Sequence, residues 1–352
     1  MKAAYLDALT FMIQNQFEKY LPSTLEERYI RVEKMNIPLD IYHPANREKS
    51  KGTIMTVMGL SPLGNRDPRL LVVNKSIAGA GYTVVSPYFK DISEYYIKLE
   101  NITIVVDAIK ELLKDKDLCK NEKISLLAPS FAAGVCLIAA GDPHIANNIE
   151  SILTVGTYGN METILESLLL NQEMDEYGRM ILLYNFLDLS IGKNKILEKA
   201  LELTVLDNFR SGINKSHKPE FPEYFAKMPK KEKDMYEKLK NDTLFRLKHW
   251  KRIVANGGKK RRMLTGMSVA KNIHKVKAAV SLLHGDTDNV VPAGESTLLY
   301  NILLENNIPA HLVLTPLITH GDSGVTLKTI PAVFKLASGF AFFFRNIGKN
   351  RN

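Results

Sequence analysis

Short apolar runs alternate with amphipathic stretches through most of the chain, which predicts strands alternating with helices. Apolar residues at helical spacing also predict an N-terminal helix: Tyr5, Leu6, Leu9, Met12, Ile13 and Phe17. Residues 28–42 then alternate as two paired strands do. Buried strands are predicted at 52–58, 82–86, 124–128, 151–157, 276–283 and 310–317, with helices such as 67–80 and 98–114 between them. Strands separated by helices pair in parallel, so we expect an α/β fold with a doubly wound, mostly parallel sheet.

The alternation of strands and helices stops after Gly159 and resumes at Val276. Residues 160–275 carry helical patterns without a convincing strand. We therefore expect a discontinuous core domain, 1–159 and 276–352, and a helical cap, 160–275, inserted between the sixth and seventh strands and covering the site.

The stretch from Lys123 to Leu137 reads KISLLAPSFAAGVCL, an apolar strand that meets a serine and continues as a helix. Ser130 has Ala128 two positions before it and Ala132 two positions after it. Small residues at these positions are typical of a nucleophile elbow, where bulky ones would clash on the sharp turn. The following helix directs its N-terminal N–H groups at a developing oxyanion. A serine that merely caps a core helix gives a similar pattern.

Candidate partners for this serine follow two later strands. Asp286 and Asp288 come after the strand at 276–283, and His320 comes after the strand at 310–317. A serine hydroxyl becomes a good nucleophile when an imidazole accepts its proton, and the imidazole needs a carboxylate to orient it. The carboxyl ends of parallel strands share one edge of a sheet, so we expect these groups to meet there.

With these residues the chain resembles the α/β-hydrolase superfamily. It is most similar to bacterial serine hydrolases, esterase- or lipase-like, whose elbow reads Ser-Phe-x-x-Gly, here Ser130-Phe131-Ala132-Ala133-Gly134. The resemblance covers about residues 25–159 and 276–346, including Gly64–Leu70. The family's usual elbow glycines are alanines here, and Pro129 directly before the serine is unusual.

The resemblance implies a role for each candidate residue. Ser130 is the nucleophile, His320 the general base and Asp288 the acid that orients it. The family's Gly-x-x-Asp pattern favours Asp288 over Asp286, and Glu162 after the sixth strand is a more distant alternative.

The resemblance also implies an oxyanion hole made of two backbone N–H groups. One belongs to Phe131, directly after the nucleophile. The other comes from the loop after the strand at 52–58, where we assign Leu60, with Ser61 as the alternative. Gly59 before them allows the backbone to approach a substrate closely.

These residues predict a serine hydrolase that cleaves a carboxylic ester or thioester of a small molecule through an acyl-enzyme. The apolar stretch Met180–Leu189 either packs the cap or lines an acyl-chain pocket, which favours an apolar acyl group. The alternative function is that of an acyltransferase, or a non-catalytic protein of the same fold whose basic cap docks on an anionic membrane or a partner.

The composition and the motifs limit which cofactors, and which cellular compartment, we expect for this chain. The chain has two cysteines and no CxxC or HExxH pattern, so we expect neither a disulfide framework nor a metal, and no cofactor. The N-terminus does not read as a secretory signal, and no apolar run reaches the roughly 18 residues of a spanning helix. A cytoplasmic location is the simplest expectation.

Charge divides the predicted cap. Residues 160–209 hold 4 basic and 9 acidic residues, whereas residues 210–275 hold 19 and 6. The basic half either forms solvated helix faces or docks on anionic phospholipid at the inner face of a membrane, where Trp250 between basic residues would suit the interface. No nucleic-acid-binding motif accompanies the charge, so we expect no nucleic acid partner. The oligomeric state stays open.

Overall fold

The structure is a computed structural model that describes residues 2–255, 259–318 and 330–348. The chain forms two compact units. Unit 1 comprises Met1–Glu94, Lys98–Asn160 and Met267–Asn352, and unit 2 comprises Tyr95–Ile97 and Met161–Gly266. Residues 267–275, which the sequence pattern places in the cap, fall in unit 1.

Unit 1 is built on one eight-stranded sheet with the strand order β1-β2-β4-β3-β5-β6-β7-β8. The strands are β1 (Ser23–Val32), β2 (Met35–Pro44), β3 (Thr53–Thr56), β4 (Thr83–Pro87), β5 (Ile124–Pro129), β6 (Ile149–Val155), β7 (Ala279–Gly285) and β8 (Ala310–Thr315). The pairs β1–β2 and β2–β4 are antiparallel, and the other five pairs are parallel. The predicted mostly parallel sheet is confirmed.

Helices flank this sheet. Before β7 they are α1 (Lys2–Phe17), α2 (Pro68–Gly79), α3 (Lys90–Ser93), α4 (Glu100–Lys114) and α5 (Ser130–Ala139). Helix α1 packs against α2 and against the last helix, Ile330–Arg345, while α4 packs against α5. Helix α2 begins as its sequence predicts, because Asp67 caps it by accepting the N–H of Arg69 and Pro68 occupies its first turn.

The central strands of the sheet are buried on both faces. Every residue of β3, β4 and β7 is buried, and the side chains of Ile54, Leu126 and Ile152 have no exposed surface. Such strands read as continuous apolar runs because helices cover both faces of a parallel sheet. Since β5, β6 and β7 run in the same direction, the loops at their carboxyl ends lie side by side.

The described part of unit 2 is helical. Its helices are α6 (Met161–Leu170), α7 (Glu176–Phe186), α8 (Asp188–Ile191), α9 (Lys195–Ile213), α10 (Phe221–Lys227), α11 (Lys230–Asn241), α12 (Thr243–Ala255) and α13 (Lys259–Met267). In unit 1, α14 (Gly294–Glu305) and α15 (Ile330–Arg345) then follow β7 and β8.

Two buried arginines donate hydrogen bonds to carbonyl groups at the carboxyl end of α6. Arg179 donates from Nε to the carbonyl oxygen of Leu168 at 2.8 Å, and Arg246 donates from Nε to that of Leu169. Cations favour the carboxyl end of a helix, where carbonyl groups lack partners within the helix. Burial lowers the pKa of both guanidinium groups from its ordinary value.

Candidate active site

Ser130 occupies the junction of β5 and α5 in a left-handed backbone conformation. Its φ is +53°, which is uncommon for a residue other than glycine. Such a conformation costs about 1–3 kcal/mol and persists where the surrounding structure enforces it. The serine follows the last residue of the strand and opens the helix, with a half-buried side chain. This is the backbone geometry of a nucleophile elbow.

A close contact fixes the helix that follows the serine. A Cβ added to Gly134 would lie 2.4 Å from both Cε1 and Cζ of Tyr158, so only glycine fits beneath this ring. The rings of Phe131 and Tyr158 are stacked, with centroids 6.3 Å apart. The first turn of α5 is therefore held against the segment that follows β6.

The loop after β3 touches the elbow at Gly59. A Cβ on this glycine would lie 3.4 Å from the carbonyl oxygen of Pro129 and 3.7 Å from Cβ of Ser130. Leu60 follows directly, and its side chain is half-buried. Phe131 lies in the first turn of α5, where backbone N–H groups have no acceptor within the helix. The backbones of the two assigned oxyanion donors thus border Ser130.

Hydrogen bonds fix the same loop on its other side. Ser61 donates from Oγ to Oδ2 of Asp67 at 2.7 Å, so its side chain is already engaged. Burial alone would raise the pKa of Asp67, but the hydrogen bonds from Arg69 and Ser61 outweigh it and lower this pKa. The loop is therefore anchored to the start of α2.

Asp288 lies in the loop after β7 with its carboxylate turned inward. Its Oδ1 accepts the N–H groups of Val290 at 2.8 Å and Val291 at 2.9 Å. Its Oδ2 would lie 3.3 Å from a Cβ on Gly156, the residue that follows β6. The side chain is only 7% exposed. Asp288 is thus a buried, oriented carboxylate at the carboxyl edge of the sheet.

His284, at the end of β7, supports this loop from within the core. Its Nε2 lies 2.7 Å from the carbonyl oxygen of Val291, and its Nδ1 lies 2.6 Å from Oγ of Ser296. Because a carbonyl oxygen only accepts, Nε2 carries the hydrogen and Nδ1 accepts from the serine. Nε2 also lies 3.6 Å from Oδ2 of Asp288. The sequence pattern does not indicate this support.

The sheet register relates the serine to the aspartate. Pro129 of β5 pairs with Val155 of β6, and the N–H of Gly156 donates to the carbonyl oxygen of Leu283 in β7 at 2.8 Å. Ser130 and Asp288 therefore follow the two strands on either side of β6. With neighbouring strands about 4.8 Å apart, the two strand ends are roughly 10 Å apart.

The other sequence candidates are placed as follows. Asp286 is exposed, and Glu162 lies in the first turn of α6 in unit 2. His320 lies outside the described residues. Ile318, two residues before it in the sequence, lies against Gly285, where a Cβ would be 2.1 Å from the carbonyl oxygen of Ile318.

Hydrogen bonds also anchor the segment after β6, and the sequence pattern does not indicate them. Glu295 Oε2 accepts the N–H groups of Gly159 at 2.8 Å and Asn160 at 2.7 Å. The carbonyl oxygen of Gly159 accepts the N–H of Ala270 at 2.9 Å. Glu295 lies in the first turn of α14, and its sequence neighbourhood does not indicate a partner as distant as Gly159. The whole inserted segment separates the two residues in the sequence.

Several other expectations concern groups away from Ser130. Cys119 and Cys136 are buried, and burial raises the pKa of each thiol to about 12. Trp250 is buried too, so its ring does not supply an interfacial side chain, and docking of residues 210–275 on a membrane stays a prediction. Within the described ranges, no three His, Cys, Asp or Glu side chains are grouped to hold a metal ion, and no helix is long and apolar enough to cross a membrane.

Comparison with known proteins relates the fold to solved structures. The sequence matches no family model and no curated protein sequence. The acylaminoacyl peptidase of Pyrococcus horikoshii aligns with a TM-score of 0.52 and 13% identity, over 95% of this chain and 43% of that protein. A puromycin-hydrolyzing peptidase of Mycobacterium tuberculosis aligns with a TM-score of 0.53 and 11% identity, over 92% and 40%.

Porphyromonas gingivalis dipeptidyl peptidase 4 aligns with a TM-score of 0.50 and 10% identity, over 93% of this chain and 37% of that protein. The chain thus spans less than half the length of these proteins. At such low identity the similarity concerns the fold, which is the α/β-hydrolase fold.

Proposed function

We propose that this α/β-hydrolase fold is a serine hydrolase that cleaves a carboxylic ester or thioester through an acyl-enzyme. The observation that carries the proposal is the left-handed Ser130 between β5 and α5. Strained residues of this kind cluster at functional sites. A helix cap alone does not need this conformation, because an N-capping residue usually has an extended backbone.

The reaction uses the residues at the carboxyl edge of the sheet. Ser130 Oγ attacks the substrate carbonyl carbon while its proton passes to the imidazole of His320. The N–H groups of Phe131 and Leu60 donate to the resulting oxyanion. The intermediate then collapses, the C–O or C–S bond breaks, and the proton passes from His320 to the leaving alcohol or thiol. Water, deprotonated by His320, attacks the acyl-serine, releases the acid and restores Ser130.

Geometry supports Asp288 as the acid that orients His320. Its carboxylate is buried, and both backbone hydrogen bonds go to Oδ1. Its Oδ2 is directed towards Gly156 at the end of β6, between the strand ends that carry Ser130 and Asp288. The exposed Asp286 has no such placement.

The side chains beside Ser130 support an apolar acyl group. Phe131 and Tyr158 form a buried aromatic pair next to the serine, and Leu60 follows the glycine that touches it. The apolar stretch Met180–Leu189 adds little to this argument, since all its residues in α7 except the half-buried Tyr184 and Asn185 are buried, and α7 packs against α6 and α9.

Labelling with a fluorophosphonate probe tests the nucleophile. We expect the wild type to be labelled and Ser130→Ala to be unlabelled. Ser125→Ala is a matched control, because Ser125 lies in β5, the strand that leads to Ser130, is buried and makes no hydrogen bond through its hydroxyl. Labelling that survives in Ser130→Ala, or a folded wild type that never reacts, contradicts the proposal.

A second measurement addresses the bond that is cleaved. An ester, a thioester and an anilide with the same apolar acyl group are compared as substrates. Faster turnover of the oxygen and sulfur esters supports the proposed class. Preference for the anilide would instead place this chain with the peptidases whose fold it shares.

A further inference from the structure

Helix α1 exposes most of its large apolar side chains, although Phe11 is buried. Five of them are between 40% and 65% exposed: Tyr5, Leu6, Leu9, Ile13 and Phe17. At 3.6 residues per turn they fall within about 120° of the helix circumference. The buried residues of α1 are Ala4, Asp7, Ala8, Phe11 and Gln14. Surface helices of soluble proteins usually show the opposite arrangement, with the apolar stripe facing the core.

Polar contacts on the buried side fix this orientation. Asp7 accepts hydrogen bonds from Nζ of Lys51 at 2.5 Å and from the hydroxyl of Tyr82 at 2.8 Å. Gln14 accepts the N–H of Leu21 at 3.1 Å through Oε1. Turning the helix to bury its leucines would break all three bonds and leave a carboxylate without its cation. The outward apolar stripe is therefore a built feature of the fold.

The charges around the stripe favour an anionic partner. Helix α1 packs against α2 and α15, and the exposed basic side chains of these three helices are those of Lys2, Arg69, Lys75, Lys335 and Arg345. Of these, Arg69 is paired with Asp67, the residue before α2. Asp7 is the only acidic residue in the three helices, and it is neutralised by Lys51. Directly after α1, Glu18 and Lys19 offset each other. The helix layer therefore presents positive charge with a large apolar surface, to which Phe334 of α15 adds a side chain that is 67% exposed.

We propose that α1 docks unit 1 on an anionic lipid bilayer. Leu6, Leu9, Ile13 and Phe17 enter the boundary between headgroups and acyl chains, as the apolar face of an interfacial helix does. The basic side chains on the same helix layer interact with anionic headgroups. A second copy of this chain is the less favourable occupant, because the same basic side chains would face one another.

This surface differs from the basic segment 210–275, whose tryptophan is buried. The two surfaces can be separated by substitution. Leu9→Gln with Ile13→Gln removes apolar side chains from α1 at exposed positions. Leu244→Gln is the matched control, since Leu244 on α12 is 78% exposed. Lys230→Glu with Lys231→Glu reverses charge on α11.

Sedimentation with vesicles is the test. The vesicles are phosphatidylcholine with about one quarter phosphatidylglycerol, and pure phosphatidylcholine is the comparison. We expect the wild type to bind the anionic vesicles more tightly, and the α1 double variant to bind them at least about tenfold more weakly. The Leu244 and Lys230/Lys231 variants should stay within about twofold of the wild type, and circular dichroism should show all variants folded.

A fluorescent label reports insertion directly. Ile13→Cys and Leu244→Cys are each labelled with an environment-sensitive dye, which the two native cysteines do not take up because they are buried. A blue shift with vesicles at position 13 and not at 244 supports the proposal. It is overturned if the wild type does not bind, or if binding depends on α11 instead of α1. It is also overturned if the wild type is a dimer that the α1 variant converts to monomers in sedimentation velocity.

Discussion

The ring of Tyr158 covers Gly134 so closely that a single methyl group on the glycine would fall 2.4 Å from two ring carbons. The glycine lies about one helical turn after Ser130, and the tyrosine lies three residues after β6. The contact therefore links the helix that carries the candidate nucleophile to the strand that separates it from Asp288. Gly134 and Tyr158 can each be substituted without changing the other.

Gly134→Ala should destabilise the protein and weaken the reaction of Ser130. Alanine in a helix is normally better than glycine by about 1 kcal/mol, but forcing an atom into a packed site costs about 1–3 kcal/mol. Displacement of Tyr158 would also shift Phe131, which stacks on it. Thermal unfolding and the rate of fluorophosphonate labelling measure both effects.

Gly212→Ala in α9 is the matched control for this substitution, because nothing lies within 4 Å of its added Cβ. It should leave stability unchanged or slightly higher. Equal effects of the two alanines would show that the Tyr158 contact is not restrictive.

Asp288→Asn should lower kcat by about a thousandfold or more, since the amide no longer orients and stabilises the charged imidazole. Asp286→Asn should leave kcat within a few-fold of the wild type, because Asp286 is exposed. Steady-state kinetics with one ester substrate compare the two variants. The reverse pattern would assign the acid to Asp286.

Asp7→Ala should lower the free energy of unfolding by about 1–3 kcal/mol, because it leaves the buried hydroxyl of Tyr82 without its acceptor and removes one of the two acceptors of Lys51 Nζ, the other being the carbonyl oxygen of Ala80. Urea unfolding measures the loss. In the Tyr82→Phe background the same substitution should cost less, since one of the two hydrogen bonds is already gone. Strictly additive losses would indicate that Asp7 and Tyr82 do not interact.

Acid should remove a stabilising contribution made by Glu26 in β1. Hydrogen bonding from Arg28, assisted by His43, lowers the pKa of this carboxyl to about 2. An unfolded glutamate has a higher pKa, so the unfolded chain binds the proton first. The contribution is present above about pH 4.5 and is lost as the pH falls towards 2. Urea unfolding at several pH values should show a shallower decline for Glu26→Gln, and parallel curves would rule out this role.

The sequence predicts the sheet well because its inner strands are buried on both faces and read as uninterrupted apolar runs. Ser130 stands out for a related reason, since its small neighbours at two positions on either side are required by the turn itself. The local pattern is less informative for α1. Its apolar spacing predicts a helix, but not which side of the helix faces the core, because the hydrogen bonds of Asp7 and Gln14 determine that side. Trp250 shows the same limit, because basic neighbours in the sequence do not reveal that the ring is buried.

The hydrophobic pattern of the sequence does not predict contacts between residues of different elements. Tyr158 over Gly134, His284 behind the Asp288 loop and Glu295 at Gly159 each join residues from different elements. The contacts of Tyr158 and Glu295 depend on which strands are neighbours, and that of His284 depends on how the loop after β7 folds back; an isolated motif encodes neither.

The hydrogen bond from Ala270 to the carbonyl oxygen of Gly159 brings together the two points where the chain leaves unit 1 and returns to it. When the two ends of an inserted segment lie side by side, the segment between them does not need a particular length to connect them. The parallel pairing of β6 with β7 is complete within unit 1. Over evolution, the segment between them can therefore be shortened, extended or exchanged for another while the sheet and its edge residues are inherited unchanged.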